Sequence, residues 1–327
     1  QGTRVVAVGP AADFKIPDDV EVLDAGSGTI LPGIINSHVH VREAGTRRIL
    51  FLLDGVTSVC DMMIPMRRMH YLDEEGIQSG PAARGFKAGP IITAPGSYPG
   101  IVYGTHFSYE IQGDDEAETA VHDLHALGAD YIKVALEPGI FGDPWPVLNL
   151  GELRSVVTTA HSNDLLVRAH VNNAVLDIAL EGGVDVIEHV PMPSFAQENL
   201  EPMFDDAGVF RIPSDLEAQM LRMVDQGIVL VPTLDVIIDD SYQGEEFASE
   251  NDGVNHAVLA VVRFFHDAGG IIAVGNDYGN PGVKPGMPLR EMNLLQSTGL
   301  SPMEVIEAAT RHAAYVCGQS DELGTLE

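Results

Sequence analysis

Two histidines one residue apart close an apolar run at residues 30–40, ILPGIINSHVH. In an extended strand, side chains two apart share a face, so His38 and His40 would look the same way from the strand's end. Two imidazoles so placed can grip one metal ion. Two of the twelve histidines can also fall this close by chance, and the pair alone completes no coordination shell. Other chemistry-bearing residues interrupt or end apolar runs further along: Lys133 in DYIKVA, His170 in LLVRAH, His189 in VDVIEH, and Asp277 just after IIAVG. Each has an ordinary reading. The histidines could be satisfied core residues, Lys133 could reach its amine out to solvent, and Asp277 could serve a turn or a helix cap. A lysine inside an apolar run is nonetheless costly unless it is paired or chemically changed.

The arrangement of the runs decides whether these residues meet. Short β-branched runs fall at 30–37, 55–61, 90–94, 130–135, 165–170, 184–189, 227–232 and 271–275. Helical patterns separate them, and several end in glycine just before the next run. Strands alternating with helices predict βαβ units and a parallel sheet. The count predicts an α/β chain closed into a (β/α)8 TIM barrel. In such a barrel the chemistry gathers at the C-terminal strand ends, where the four histidines, the lysine and the aspartate all fall. The opening stretches RVVAVGP and VEVLDAGSG read as two short strands outside the barrel.

A chain of 327 residues can bury a barrel and a smaller lobe. Forty-eight acidic residues against eighteen basic ones give a net charge of −30, which disfavours nucleic acid and anionic membrane as partners. Such a charge suits a cationic substrate, or simply keeps the protein soluble. The densest acidic runs, DDEAE at 114–118 and DDSYQGEE at 239–246, read as solvated faces. No run of eighteen apolar residues predicts a membrane span. The opening QGTRVVAVGPAADF lacks the basic start and apolar core of a signal peptide. Cys60 and Cys317 make no disulfide framework, so reduced thiols and a cytoplasmic setting are expected. A homo-oligomer is compatible with the sequence.

These motifs resemble the amidohydrolase superfamily. ILPGIINSHVH is similar to its opening motif, and Lys133, His170, His189 and Asp277 follow in its order. The closing GLSPMEVIEAATRHAAYVCGQSDELGTLE resembles its helical ending. The resemblance covers nearly the whole chain. It is closest to the branch of imidazolonepropionase-like enzymes and prolidase-like dipeptidases, which includes Xaa-Pro and Xaa-Arg/Lys dipeptidases. It implies a barrel over 30–318, with 1–29 and 319–327 contributing to a small β-sandwich lobe that is incomplete here.

The same resemblance implies two divalent metal ions, with zinc favoured by histidine and carboxylate ligands. His38 and His40 would hold one together with Asp277, and His170 and His189 the other. Lys133 would be carboxylated to a bridging carbamate, because an ammonium has no lone pair to give. The implied reaction is hydrolysis of an amide (C–N) bond in a dipeptide or N-acyl amino acid by a metal-activated hydroxide. Asp277 would pass a proton to the leaving nitrogen. In the loop APGSYPGIVYGTHFSYE, His106 could polarise the substrate carbonyl or be an ordinary surface histidine, and Tyr103 is a further substrate-binding candidate. Asn172 could touch substrate or cap the next helix. Two other readings stay open. One is a single-metal, imidazolonepropionase-like opener of cyclic amides, which needs no lysine. The other is a non-catalytic metal-binding barrel, which gives no reason for a lysine beside four histidines.

Overall fold

Short runs of Val, Ile and Ala that lose water on both faces are stable as parallel strands covered by helices. The computed structural model arranges these runs in a ring. It describes residues 4–41, 46–70, 72, 81–139, 144–192, 203–204, 210–238 and 252–326; the acidic run at 239–246 lies outside them. The strands are β1 (Ile34–Val39), β2 (Val56–Asp61), β3 (Arg84–Lys87), β4 (Ile91–Thr93), β5 (Ser108–Glu110), β6 (Ile132–Leu136), β7 (Val167–Val171), β8 (Val186–Glu188) and β9 (Val229–Val231). Every pairing among them is parallel.

One sheet runs β1-β2-β3 and the other β5-β4-β6-β7-β8-β9. β3 and β4 are two halves of one stave, interrupted at Pro90, which has no N–H for a ladder. The lower half pairs with β2 and the upper half with β6. The last stave is the stretch 272–274. Ile272 bridges Leu230 of β9, and the Ser37 N–H of β1 donates to the Val274 carbonyl at 2.9 Å. That stretch therefore closes the ring, and the chain is a (β/α)8 barrel. β5 lies in the loop after β4 and adds a short strand beside it, which the periodicity does not announce.

The helices behave as their patterns predict. The helix Asp114–Ala126 buries Ala117, Ala120, Val121 and Leu124 and carries its acids in the first turn. There the helix dipole favours them, so the acidic run at 114–118 is a solvated helix start. The helix Leu150–Ser162 begins on a capping box, with Asn149 accepting from Gly151 and Glu152. The helix Ser214–Gln226 stops at Gly227, whose left-handed φ of 70° turns the chain into β9.

The opening residues depart from expectation. RVVAVGP and VEVLDAGSG form no strand; among the described residues the only helical turn before β1 is Ala11–Asp13. Val6, Val22 and Leu23 stay 74%, 64% and 91% exposed. Alternating apolar residues make a strand only where a neighbour completes the ladder and another layer covers one face. Among the described residues, no strand lies beside them. The two chain ends meet through an ion pair between Arg4 and Glu322.

The expectation of two free thiols is also corrected. Cys60 at the end of β2 and Cys317 after the helix Ala313–Val316 form a disulfide, with Cα atoms 6.1 Å apart. Their separation of 257 residues is too long to leave any local signal. Both cysteines belong to an inner cluster with Ile35, Val186, Val229 and Val231 on the staves, and Ala313, Ala314 and Val316 on the terminal helix. The barrel interior is thus filled from one side by the chain's own end. Cross-linking so long a loop restricts the unfolded chain most. Replacing both cysteines by serine should lower the unfolding free energy by roughly 2–5 kcal/mol, measured by urea titration. An unchanged midpoint would show that the packed cluster holds without the bond.

Candidate active site

Each residue singled out at a strand end now has a position. His38, His40, Lys133, His170, His189 and Asp277 line one cavity of about 580 Å³, together with Tyr103 and Asn172. His106 is not in its lining. It is exposed and packs on Phe107, with ring centroids 4.2 Å apart. Asn172 caps the turn that follows β7, its Oδ1 accepting from the Ala174 N–H at 3.0 Å, while its Nδ2 donates to Glu137 at 3.3 Å.

The staves impose this arrangement. The last one must approach β1 closely, and Gly275 allows it. A Cβ there would lie 2.7 Å from the His38 Cβ and 2.8 Å from Val231. The chain then bends sharply. Asp277, His189 and Thr233 follow three neighbouring staves, and all have positive φ, at 55°, 66° and 50°. For non-glycine residues this costs about 1–3 kcal/mol each, a strain that gathers where side chains are aimed for function.

The imidazoles cluster. Ring centroids are 5.4 Å apart for His38 and His40, 5.0 Å for His38 and His189, and 4.8 Å for His170 and His189. Asp277 Oδ1 sits 3.0 Å from His40 Nε2 and 3.4 Å from His38 Nε2. Ligand atoms of His38, His189 and Asp277 lie within 4.8 Å of one another. His189 Nδ1 is hydrogen-bonded to the Thr233 hydroxyl at 2.7 Å, and His170 stacks on Tyr98 at 4.6 Å.

A buried charge chain lies beneath. His38 Nδ1 donates to Glu188 Oε2 at 2.6 Å, because a carboxylate can only accept. Glu188 Oε1 accepts from Arg168 Nε at 2.6 Å. Arg168 also donates to the Ser37 and Val316 carbonyls at 2.8 and 3.1 Å, and its guanidinium lies 4.9 Å from the centre of the Tyr131 ring. Sequence reading missed Arg168 and Glu188. The argument applied to Lys133 covers Arg168 in LLVRAH equally: a charge inside an apolar stave needs a partner.

The electrostatics follow from burial. Desolvation holds the His38 imidazole down to about 4, against the pull of Asp277 and Glu188, so it is neutral at pH 7. Burial, and then the neighbouring His170, also lower His189. Burial works against ionisation of Asp277, but the surrounding His38, His40 and His189 hold its carboxyl below the usual range. Lys133 is pushed down to about 8, chiefly by burial, and its Nζ is buried without a hydrogen-bond partner.

These groups fit a divalent metal. With its Nδ1 proton committed to Glu188, His38 turns an Nε2 lone pair toward a carboxylate oxygen 3.4 Å away. Two acceptors facing each other are satisfied by a shared cation. Neutral imidazoles at His38 and His189 and an ionised Asp277 are also the protonation states that metal binding needs. Glu188 then acts through His38, fixing its tautomer and ring orientation. Glu188→Gln should weaken metal affinity about 10–100-fold, read by competition with a chelating dye. Unchanged affinity would reduce the chain to a packing device.

Comparison with known proteins bears on the family and the fold. The sequence profile described as the Amidohydrolase family matches residues 29–327. The chain is 24% identical over 370 residues to an imidazolonepropionase of Pseudomonas syringae pv. tomato, covering 100% of this chain and 83% of that one. Among solved structures, it is similar to a Xaa-Pro dipeptidase with bound methionine in its active site. The TM-score is 0.67 and the identity 21%, over 90% of this chain and 77% of that one. It is likewise similar to a putative prolidase from Bifidobacterium longum, with a TM-score of 0.72 and 24% identity over 99% and 79% of the two chains.

Proposed function

The chain belongs to the amidohydrolase family, and from that premise we propose that it is a two-metal hydrolase of an amide bond in a small substrate, a dipeptide or N-acyl amino acid. The observation that carries this reading is Lys133. Its amine is buried in the cavity beside four histidines and an aspartate, and it has no hydrogen-bond partner. An ammonium there is costly. With its pKa pushed down to about 8, a much larger share of the amine is unprotonated at neutral pH than in an ordinary lysine. The unprotonated amine is the form that adds carbon dioxide. A carbamate on Lys133 would turn the cation into a bridging anion between the His38/His40/Asp277 side and the His170/His189 side.

When bound, divalent ions at these side chains would acidify a water and polarise the scissile carbonyl. The remaining work falls to the chain. Asp277, ionised and 3.0 Å from His40, would take the water's proton and return it to the leaving nitrogen. That return is essential, because an amide anion is a very poor leaving group. Met63, Ile91, Val190 and Met192 form an apolar wall of the cavity that would limit water around a bound substrate.

Elemental mass spectrometry on wild type and Lys133→Ala tests the metal count. About two metal ions per wild-type chain, falling in the variant, support the reading. A second reading rests on the compact triad His38, His189 and Asp277 and on the likeness to an imidazolonepropionase. It is a one-metal hydrolase of a cyclic amide, in which about one metal stays bound without Lys133. Asp277→Asn should lower kcat roughly 10²–10⁴-fold on any substrate found. Full activity in that variant would remove the aspartate from proton transfer.

A further inference from the structure

Glu137 is an acid within the cavity that none of the chemistry above uses. It follows β6, four residues after Lys133, and is 6% exposed. Its Oε1 accepts from the Gly139 N–H at 2.9 Å and from Asn172 Nδ2 at 3.3 Å. Its Oε2 has a single long contact, 3.4 Å to His170 Nε2. Among the described lining residues the only basic side chain other than histidine is Lys133, and its Nζ has no hydrogen-bond partner. Asp277 is ringed by His38, His40 and His189, whereas Glu137 faces a neutral amide, a backbone N–H and one imidazole edge. Glu137 Oε2 thus keeps room for a further partner, and a buried carboxylate is best answered by a cationic one. Tyr98 and Tyr103, whose ring centres are 5.9 Å apart, line the same cavity.

We propose that Glu137 is a specificity-determining residue that selects substrates carrying a cationic group, an ammonium or guanidinium, beside the scissile amide. The proposal rests on the amide-hydrolase reading for its substrate frame. It also gives the charge of −30 a local expression: one acid at the mouth of the site, which composition alone does not locate. The rest of the substrate would lie on the apolar wall formed by Met63, Ile91, Val190 and Met192.

The test compares matched ligands that differ in one charge. Alanyl-arginine is set against alanyl-citrulline, which tests the side chain. Alanyl-citrulline is set against its N-acetyl form, which tests the amino terminus. kcat/KM is measured for wild type and Glu137→Gln, each loaded with metal. Wild type should prefer the charged member of one pair by about 30-fold or more, and Glu137→Gln should reduce that preference to within a few-fold. Metal content should be the same in both proteins. A preference that survives the substitution overturns the proposal. So does loss of metal from Glu137→Gln, which would make the residue a ligand or its support. Glu137→Ser replaces the glutamine variant if that one does not fold. Calorimetric titration of the same ligands runs alongside and needs no turnover. If wild type hydrolyses none of them, that counts against these peptides as substrates of the amide-hydrolase reading and not against the charge preference. The proposal is then decided by whether binding favours the charged member in wild type and not in the variant.

Discussion

A single buried arginine sets the terms for the barrel interior. Arg168 is fully enclosed, and a guanidinium cannot shed its proton to escape the cost of burial. Its surroundings must answer it. Glu188 supplies the counter-charge, two carbonyls take further N–H groups, and Tyr131 offers a ring face. Glu188, held below the usual range against burial by Arg168, Lys133 and His38, is then free to accept from the imidazole above it. One of the carbonyls, that of Val316, belongs to the terminal helical segment, so the arginine ties the site's floor to the far end of the chain.

Above that floor, the cavity is built from groups that share a need. Imidazole lone pairs, a carboxylate and an amine converge with few protons between them. Such a constellation would repel itself if each group titrated as in water. Burial resolves this by keeping His38 and His189 neutral, while Asp277 stays ionised beside them. The strained backbone at His189, Thr233 and Asp277 is the geometric counterpart. Just past the ends of three neighbouring staves the chain turns through an unfavourable region, so that side chains from separate strands can meet.

Much of this was legible in the sequence because it rests on local pattern. Each β-branched run between helical stretches became a stave, and the residues ending the runs met at one mouth. The exceptions share a cause. The opening strands needed neighbours that no local pattern supplies. The disulfide joins positions that only the closed ring brings together. His106 lies in a loop whose direction no periodicity fixes, and it ends outside the cavity. Glu137 sits just past the end of β6, where alternation stops and orientation depends on the hydrogen bonds of Gly139 and Asn172. Arg168 was readable by the cost of a charge in an apolar run. Its partner Glu188 was hidden beside His189, because the positive φ at His189 breaks the simple alternation of faces.

The bond between Cys60 and Cys317 changes what kind of object the chain is. Six of the eight staves, from β3 with β4 to the stretch 272–274, lie within a covalent loop, and β2 is anchored at its edge. Lys133, Glu137, Arg168, His170, Glu188, His189 and Asp277 all belong to that loop; His38 and His40 hang from its tail. A cut at one surface loop inside this span yields two pieces that remain a single molecule, still able to hold the cavity's walls in register. The segment carrying His38 and His40 has no such tether and depends on hydrogen bonds and packing alone to keep its place between its neighbours.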